Sequence, residues 1–146
     1  MGFKFIFLSL IILFYFICPL ESYAARRPEP SFSKRYDVCA EKSEGVTVKL
    51  RECLGDEFER QDQELNRIYK SLMPKLSAKN RQILQKSERA WIAYRDSTCE
   101  FEASTESGGS LEFIIDGECR VGQTLYRIED LKKRLEVVKQ YPEDDE

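Results

Sequence analysis

Histidine is absent from all 146 residues, and tryptophan occurs once. Without an imidazole the commonest general base of hydrolases is missing, and neither a glycine-rich phosphate loop nor a nucleophile-elbow pattern occurs. The carboxylate pairs that remain, Glu100 with Glu102 and Asp62 with Glu64, stand two apart on helical patterns and so do not face each other. The chain therefore reads as a non-enzyme with no cofactor. Strand patterns are lacking too, since no stretch sustains period-two alternation. Glycine and proline are sparse, 7 and 5 residues, and with 34% charged and 42% hydrophobic residues the composition fits one globular domain.

A long apolar run occurs only at the start. Lys4 precedes an apolar stretch from Phe5 to Cys18, followed by Pro19 and the small-residue site Ser22-Tyr23-Ala24. The run is shorter than the roughly 18 to 20 residues of a spanning helix and has the form of a secretory signal, expected over residues 1–24 and removed on export. Tyr15, Phe16 and Ile17 lack the small residue that precedes a lipidated cysteine, so Cys18 is not read as a lipid anchor. No stable membrane insertion is expected after cleavage, and the mature protein is placed in the periplasm or outside the cell.

Charge is unevenly distributed. Lys4 and Glu21 leave with the signal, so 122 residues keep 22 basic and 25 acidic groups. Glu143, Asp144, Asp145 and Glu146 account for the excess, which argues against nucleic acid as a partner. Within the body, Asp96 to Glu118 carries seven carboxylates and no Lys or Arg, whereas Arg67 to Arg95 is basic. Such a segment can form a local acidic face.

Four cysteines remain in the mature chain, Cys39, Cys53, Cys99 and Cys119, an even number suited to two disulfides in an oxidising compartment. They lack the close C-x-x-C pairs of a zinc site, so no metal is expected. Ala25 to Phe32 holds Pro28 and Pro30 and reads as a flexible leader, set at residues 25–35, ahead of a helical domain at 36–140 and an acidic tail at 141–146. Leu50, Leu54, Phe58, Leu65, Ile68, Tyr69 and Leu72 recur on one helical stripe up to Pro74, with a kink or break permitted at Gly55. Ser77 suits an N-cap, and Ile83, Leu84, Ala90, Trp91, Tyr94, Thr98 and Phe101 predict a second helix to about Ser104. Gly108 and Gly109 break the pattern, and Val121, Leu125, Ile128, Leu131, Leu135 and Val138 predict a third. The expected fold is all-α, an antiparallel bundle of three long helices. That arrangement brings the end of the second helix to the start of the third, pairing Cys99 with Cys119 and leaving Cys39 to staple the leader to Cys53.

The motifs Asp62-x-x-Leu65-Asn66-x-x-Tyr69, Arg89-Ala90-Trp91-Ile92-Ala93-Tyr94-Arg95-Asp96-x-x-Cys99 and Gly108-Gly109-Ser110, with Cys119 and Arg127, resemble the lysozyme inhibitor LprI-like family of small bacterial envelope proteins. The resemblance runs from about Cys39 to Leu135. It implies an exported, helical, cysteine-containing domain and, by family name, inhibition of lysozyme. The missing lipid-attachment cysteine departs from lipoprotein members.

Each motif residue also has a structural reading. Trp91 and Tyr94 fall on the apolar face of the second helix and are expected in the core. Asn66 and Tyr69 are expected to hydrogen-bond across the bundle to Arg95 or Arg127. The acidic segment is the candidate partner site: Glu102, Glu106 and Glu112 steer a basic lysozyme or other cell-wall hydrolase, and the tip at Gly108, Gly109 and Ser110 makes the deepest contact. The competing reading is a non-catalytic envelope, stress or immunity protein with a different periplasmic partner.

Overall fold

A serine and a distant glutamate decide where the first described helix begins. In the computed structural model, which describes residues 31–143, Ser33 Oγ accepts from the Tyr36 amide at 3.2 Å and caps α1, Lys34–Lys42. This helix takes in Lys34 and Arg35, which the composition had assigned to the leader. It buries no residue, so its signature in the sequence is a cap and not a periodicity. The signal segment at 1–24, the leader up to residue 30 and the tail beyond Glu143 lie outside the described residues.

Three long helices follow: α2 at Thr47–Leu72, α3 at Ala78–Ala103 and α4 at Ser110–Gln140. Among the described residues there is no strand, so the fold is all-α, the three long helices joined by a shorter fourth. Pro74 sits in a 3-10 turn, Met73–Lys75, that ends α2, and Ser77 Oγ accepts from the Asn80 amide to open α3. Gly55 does not interrupt α2, which is continuous past it while Cys53 and Leu54 beside it are buried. The third turn uses Gly108 at φ +82, a left-handed conformation that suits glycine.

α2 and α4 run in the same direction, because Leu54 meets Gly117 near their starts and Glu64 meets Lys132 further along. α3 runs back between them in sequence and packs on α4, while α1 folds back on α2. The main core lies toward the far ends of α2 and α4, where Leu65, Ile68, Leu72, Leu76, Ile128, Leu131 and Val138 form one buried cluster. The other end buries Leu54, Ile114 and Val121 and holds both disulfides. Cys39–Cys53 ties α1 to α2 with Cα atoms 5.7 Å apart, and Cys99–Cys119 ties α3 to α4 at 5.5 Å. Each bridge contributes about 3 kcal/mol in the chain-entropy account.

Glu57 is the polar centre of that end. It is fully buried on α2, and its carboxylate accepts from Ser33 N at 2.9 Å, Ser33 Oγ at 2.6 Å, Gln61 Nε2 at 2.8 Å and Arg60 Nη2 at 2.7 Å. Burial opposes its ionisation and is the largest single influence, but the hydrogen bonds from Ser33, Arg60 and Gln61 together outweigh it and hold its pKa below the ordinary value. Tyr36 nearby is raised by burial and by Glu118, Asp37 and Glu57.

Two outcomes are expected from this packing. Glu57→Ala leaves the cap of α1 without its anchor and should lower stability by about 2–4 kcal/mol, or roughly 10 °C or more in Tm. Because the folded pKa lies below the unfolded one, the contribution is complete above the unfolded value and disappears as pH falls through the folded value. Urea titrations of wild type and Glu57→Gln down through the carboxylate range should therefore show a shallower acid dependence in the variant. The second outcome concerns glycines. A Cβ at Gly117 would stand 3.1 Å from Leu54 Cδ1 and 3.2 Å from its Cβ, whereas one at Gly55 meets nothing within 4 Å. Gly55→Ala should stabilise by about 0.5–1 kcal/mol, and Gly117→Ala should give no gain or a loss; equal gains at both sites in thermal denaturation would contradict the close crossing.

Candidate functional site

Arg95 is the charged residue that the helical pattern of α3 conceals. It is 7% exposed, with its guanidinium 5.1 Å from the centroid of the Phe58 ring of α2 and 5.1 Å from that of Trp91, one turn earlier on α3. Its charge is answered by Asp96, whose Oδ1 accepts from Arg95 Nε at 2.9 Å and from Arg120 Nη1 of α4 at 2.7 Å. Arg120 Nε in turn donates to Asp116 at 2.8 Å. Arg127 of α4 also lies over the Trp91 ring, 5.8 Å from its centroid, and donates to Glu88 through both Nε and Nη2, and to Ser87 Oγ at 3.0 Å. Trp91 thus has two arginines within cation–π distance of its ring, each held by a carboxylate on α3.

This arrangement places most of the motif residues in the scaffold. Trp91 is partly buried against the main core, as are Tyr69 and, more deeply, Leu65. Tyr94 is not in the core: it is 58% exposed, because the inward face of α3 is centred on Arg95 and Cys99 and turns Tyr94 outward. Asn66 also departs from expectation. Its Nδ2 donates to the Asp62 carbonyl and to Asp62 Oδ2, both at 2.9 Å on the surface of α2, and makes no bond to Arg95 or Arg127. An exposed amide in a helix finds an acceptor one turn back, and both arginines already have partners.

The acidic segment divides into two groups. Asp96 and Asp116 are committed to Arg95 and Arg120, and Glu112 Oε2 accepts from the Gly108 amide at 2.9 Å at the positive end of α4. The carboxylates of Glu100, Glu102, Glu106 and Glu118 are exposed and, among the described residues, have no hydrogen bond or ion pair, though Glu118 acts through its charge on Tyr36. Gly108, Gly109 and Ser110 are exposed at the turn between them. Leu111 at 49% and Phe113 at 50% exposure add apolar surface at the start of α4, with Arg51 of α2 stacked 4.3 Å from the Phe113 centroid. The tip is thus an acidic rim with apolar side chains behind it, anchored to the body by Cys99–Cys119. Sequence reasoning missed Leu111 and Phe113 because a hydrophobic residue in a helix is taken for core unless its neighbours are known.

Among the described residues no group of three or more His, Cys, Asp or Glu is placed to hold a metal ion, and no helix is long and apolar enough to cross a membrane.

Comparison with known proteins follows the same outline. A family model described as lysozyme inhibitor LprI matches residues 39–131, which takes in both disulfides, the Trp91 stack and the acidic tip. The uncharacterized protein R02472 of Rhizobium meliloti (strain 1021) is 26% identical over 133 residues, covering 82% of this chain and 89% of its own length. No solved structure matches the chain.

The pairing of Arg127 with Glu88 should be visible energetically, since both side chains are largely covered, at 16% and 14% exposure. A double-mutant cycle of Arg127→Ala and Glu88→Ala in urea denaturation should give a coupling of about 1–2 kcal/mol. A coupling near zero would mean that Arg127 acts through Trp91 and Ser87 and not through Glu88.

Proposed function

Because the chain belongs to the lysozyme inhibitor LprI family, we propose that it is exported, binds a lysozyme and obstructs the cleft of that enzyme through the tip between α3 and α4. The family match carries this reading, and the electrostatics of the tip give it a mechanism. Animal-type lysozymes are basic overall but work with two carboxylates inside the cleft. Glu102 and Glu106 on the rim draw such a surface in, and the encounter rate rises with that attraction. A glutamate thrust into the cleft would be repelled by the catalytic pair. The deepest contact therefore falls to Ser110 and the backbone at Gly108 and Gly109, with Glu112 held back against the Gly108 amide. The disulfide at the base of the tip limits the ordering that binding requires. Two disulfides in a chain of this size suit an oxidising compartment outside the cytoplasm.

The decisive measurement is residual lytic activity of hen-type, goose-type and invertebrate-type lysozymes titrated with the oxidised protein at low and near-physiological salt. Saturable inhibition of one class is expected, reversed by a chitin oligosaccharide that occupies the cleft. Replacing Glu102 and Glu106 together by Gln should slow association about threefold or more at low salt and flatten its salt dependence. An unchanged rate would remove the acidic rim from the mechanism. No inhibition of any class would remove lysozyme itself and point to another envelope partner.

A further inference from the structure

α3 gives the bundle only one of its faces. Leu84, Trp91, Arg95, Cys99 and Ala103 turn inward, while Ile83, Ser87, Ala90, Tyr94, Ser97 and Phe101 are all exposed. Phe101 is 74% exposed, Tyr94 58% and Ile83 55%. These six outward residues follow one another in steps of four, three, four, three and four, the spacing of a coiled-coil seam. A seam of this kind facing water on a helix that is already folded is a surface waiting for a second helix.

We propose that the seam is the contact face of a homodimer in which α3 of two copies packs antiparallel about a two-fold axis level with residue 92. The spacing itself is self-complementary. Reversing one helix about that level brings Ile83 opposite the partner's Phe101, Ser87 opposite the partner's Ser97 and Ala90 opposite the partner's Tyr94. The outer layers then match apolar side chains, the one large residue near the axis meets a small one, and Ser87, whose Oγ also accepts from Arg127, stands across from the partner's Ser97, whose Oγ donates to the Tyr94 carbonyl. Charge chooses the same alignment. Lys86 and Glu100 each directly precede a seam residue and so flank the seam on one side, and neither has an ion pair within the chain among the described residues. The antiparallel pairing keeps this flank on one side of both helices and sets Lys86 near the partner's Glu100 twice by symmetry, whereas a parallel pairing puts the two flanks on opposite sides of the contact and brings neither charge to its counterpart. From Ile83 to Phe101 the contact spans about 27 Å of helix. α3 is held in place by Cys99–Cys119 and its packing on α4, so association does not have to fold it. The two tips project from opposite ends of such a dimer, and each remains open to its own target.

Sedimentation equilibrium of the oxidised protein across the micromolar range should show a monomer–dimer equilibrium. Tyr94→Asp and Phe101→Asp, both at exposed positions that leave the helical circular dichroism unchanged, should each raise the dimer Kd more than about tenfold. Lys86→Glu should weaken the dimer, and adding Glu100→Lys to it should restore affinity. Ala93→Cys, on the flank nearest the axis, should form an intermolecular disulfide, and Lys79→Cys, far from the axis, should not. A monomer at all concentrations, or a dimer indifferent to Tyr94 and Phe101, overturns the proposal, the first outcome leaving the seam to a different protein. Cross-linking at both cysteine positions would likewise overturn the antiparallel register. None of these readouts uses lysozyme, so their result is independent of the inhibitor reading.

Discussion

The rotation of α3 about its own axis governs what this protein shows to solvent, and the Cys99–Cys119 bond is its firmest constraint. α2 and α4 meet along a continuous apolar surface, but α3 packs chiefly on α4. Its apolar residues lie on both sides, so hydrophobic burial alone would leave its orientation poorly determined. One covalent bond and two charge clasps choose between the faces: Cys99 to Cys119, Asp96 to Arg120, and Glu88 to Arg127. All three lie on the side of α3 that meets α4. Together they turn Trp91 and Arg95 inward and leave Tyr94 and Phe101 outside. The same bond holds the tip at a fixed angle to the body, and its loss would blur both candidate interaction surfaces together.

Carboxylates do much of the remaining fastening, each at a helix start. Glu57 of α2 reaches the cap of α1, Glu112 reaches back to Gly108 ahead of α4, and Glu143 near the end of the chain accepts from Ser77 N at 3.0 Å and Asn80 Nδ2 at 2.7 Å to close the start of α3. Helix starts carry unpaired amides and a partial positive charge, so acidic side chains are favoured there. Asn80, Ser77 and Arg134 lower the pKa of Glu143 in consequence. The acidity at the chain end therefore has a structural use at its first residue, and net charge is a poor guide to which carboxylates remain for a partner.

The long helices, their caps at Ser77 and the turn glycines, and the disulfide pairing were legible in the sequence because each follows from local spacing and chain direction. What stayed hidden depended on neighbours. α1 has no buried face and is written only in Ser33 and in Glu57, a residue 24 positions away. Arg95 is expected to meet Asn66 or Tyr69 across the bundle, yet the rings of Phe58 and Trp91 cover it and Asp96 answers its charge. Once Arg95 is allowed inward, Ile83, Tyr94 and Phe101 cannot share its face, and a stripe that appeared to be one core pattern separates into two. Leu84, Trp91 and Thr98 belong to the inner one. The misreading has a physical origin: steps of three and four around a helix sweep a broad arc, and apolar residues at both edges of that arc satisfy the same periodicity.

Separating scaffold from surface also bears on what family membership can mean. Of the residues that carry the resemblance, Leu65, Tyr69, Trp91, Arg95, Asp96 and Arg127 pack the core or bind α3 to α4, whereas Asn66 and Tyr94 are exposed and Gly108, Gly109 and Ser110 form the apex of the tip. The side chains left unpaired at the tip, Glu102 and Glu106, lie outside that motif. A chain can therefore keep every motif residue, and with it the fold, the glycine apex and the bond at the base of the tip, while changing the charge presented to a partner around that apex. By this logic the scaffold defines how rigidly a tip is held, and the composition of the tip defines what it is held against. For this chain the tip is acidic at the rim, small at the apex and apolar behind, and under the proposed function these are the features that a basic cleft would meet.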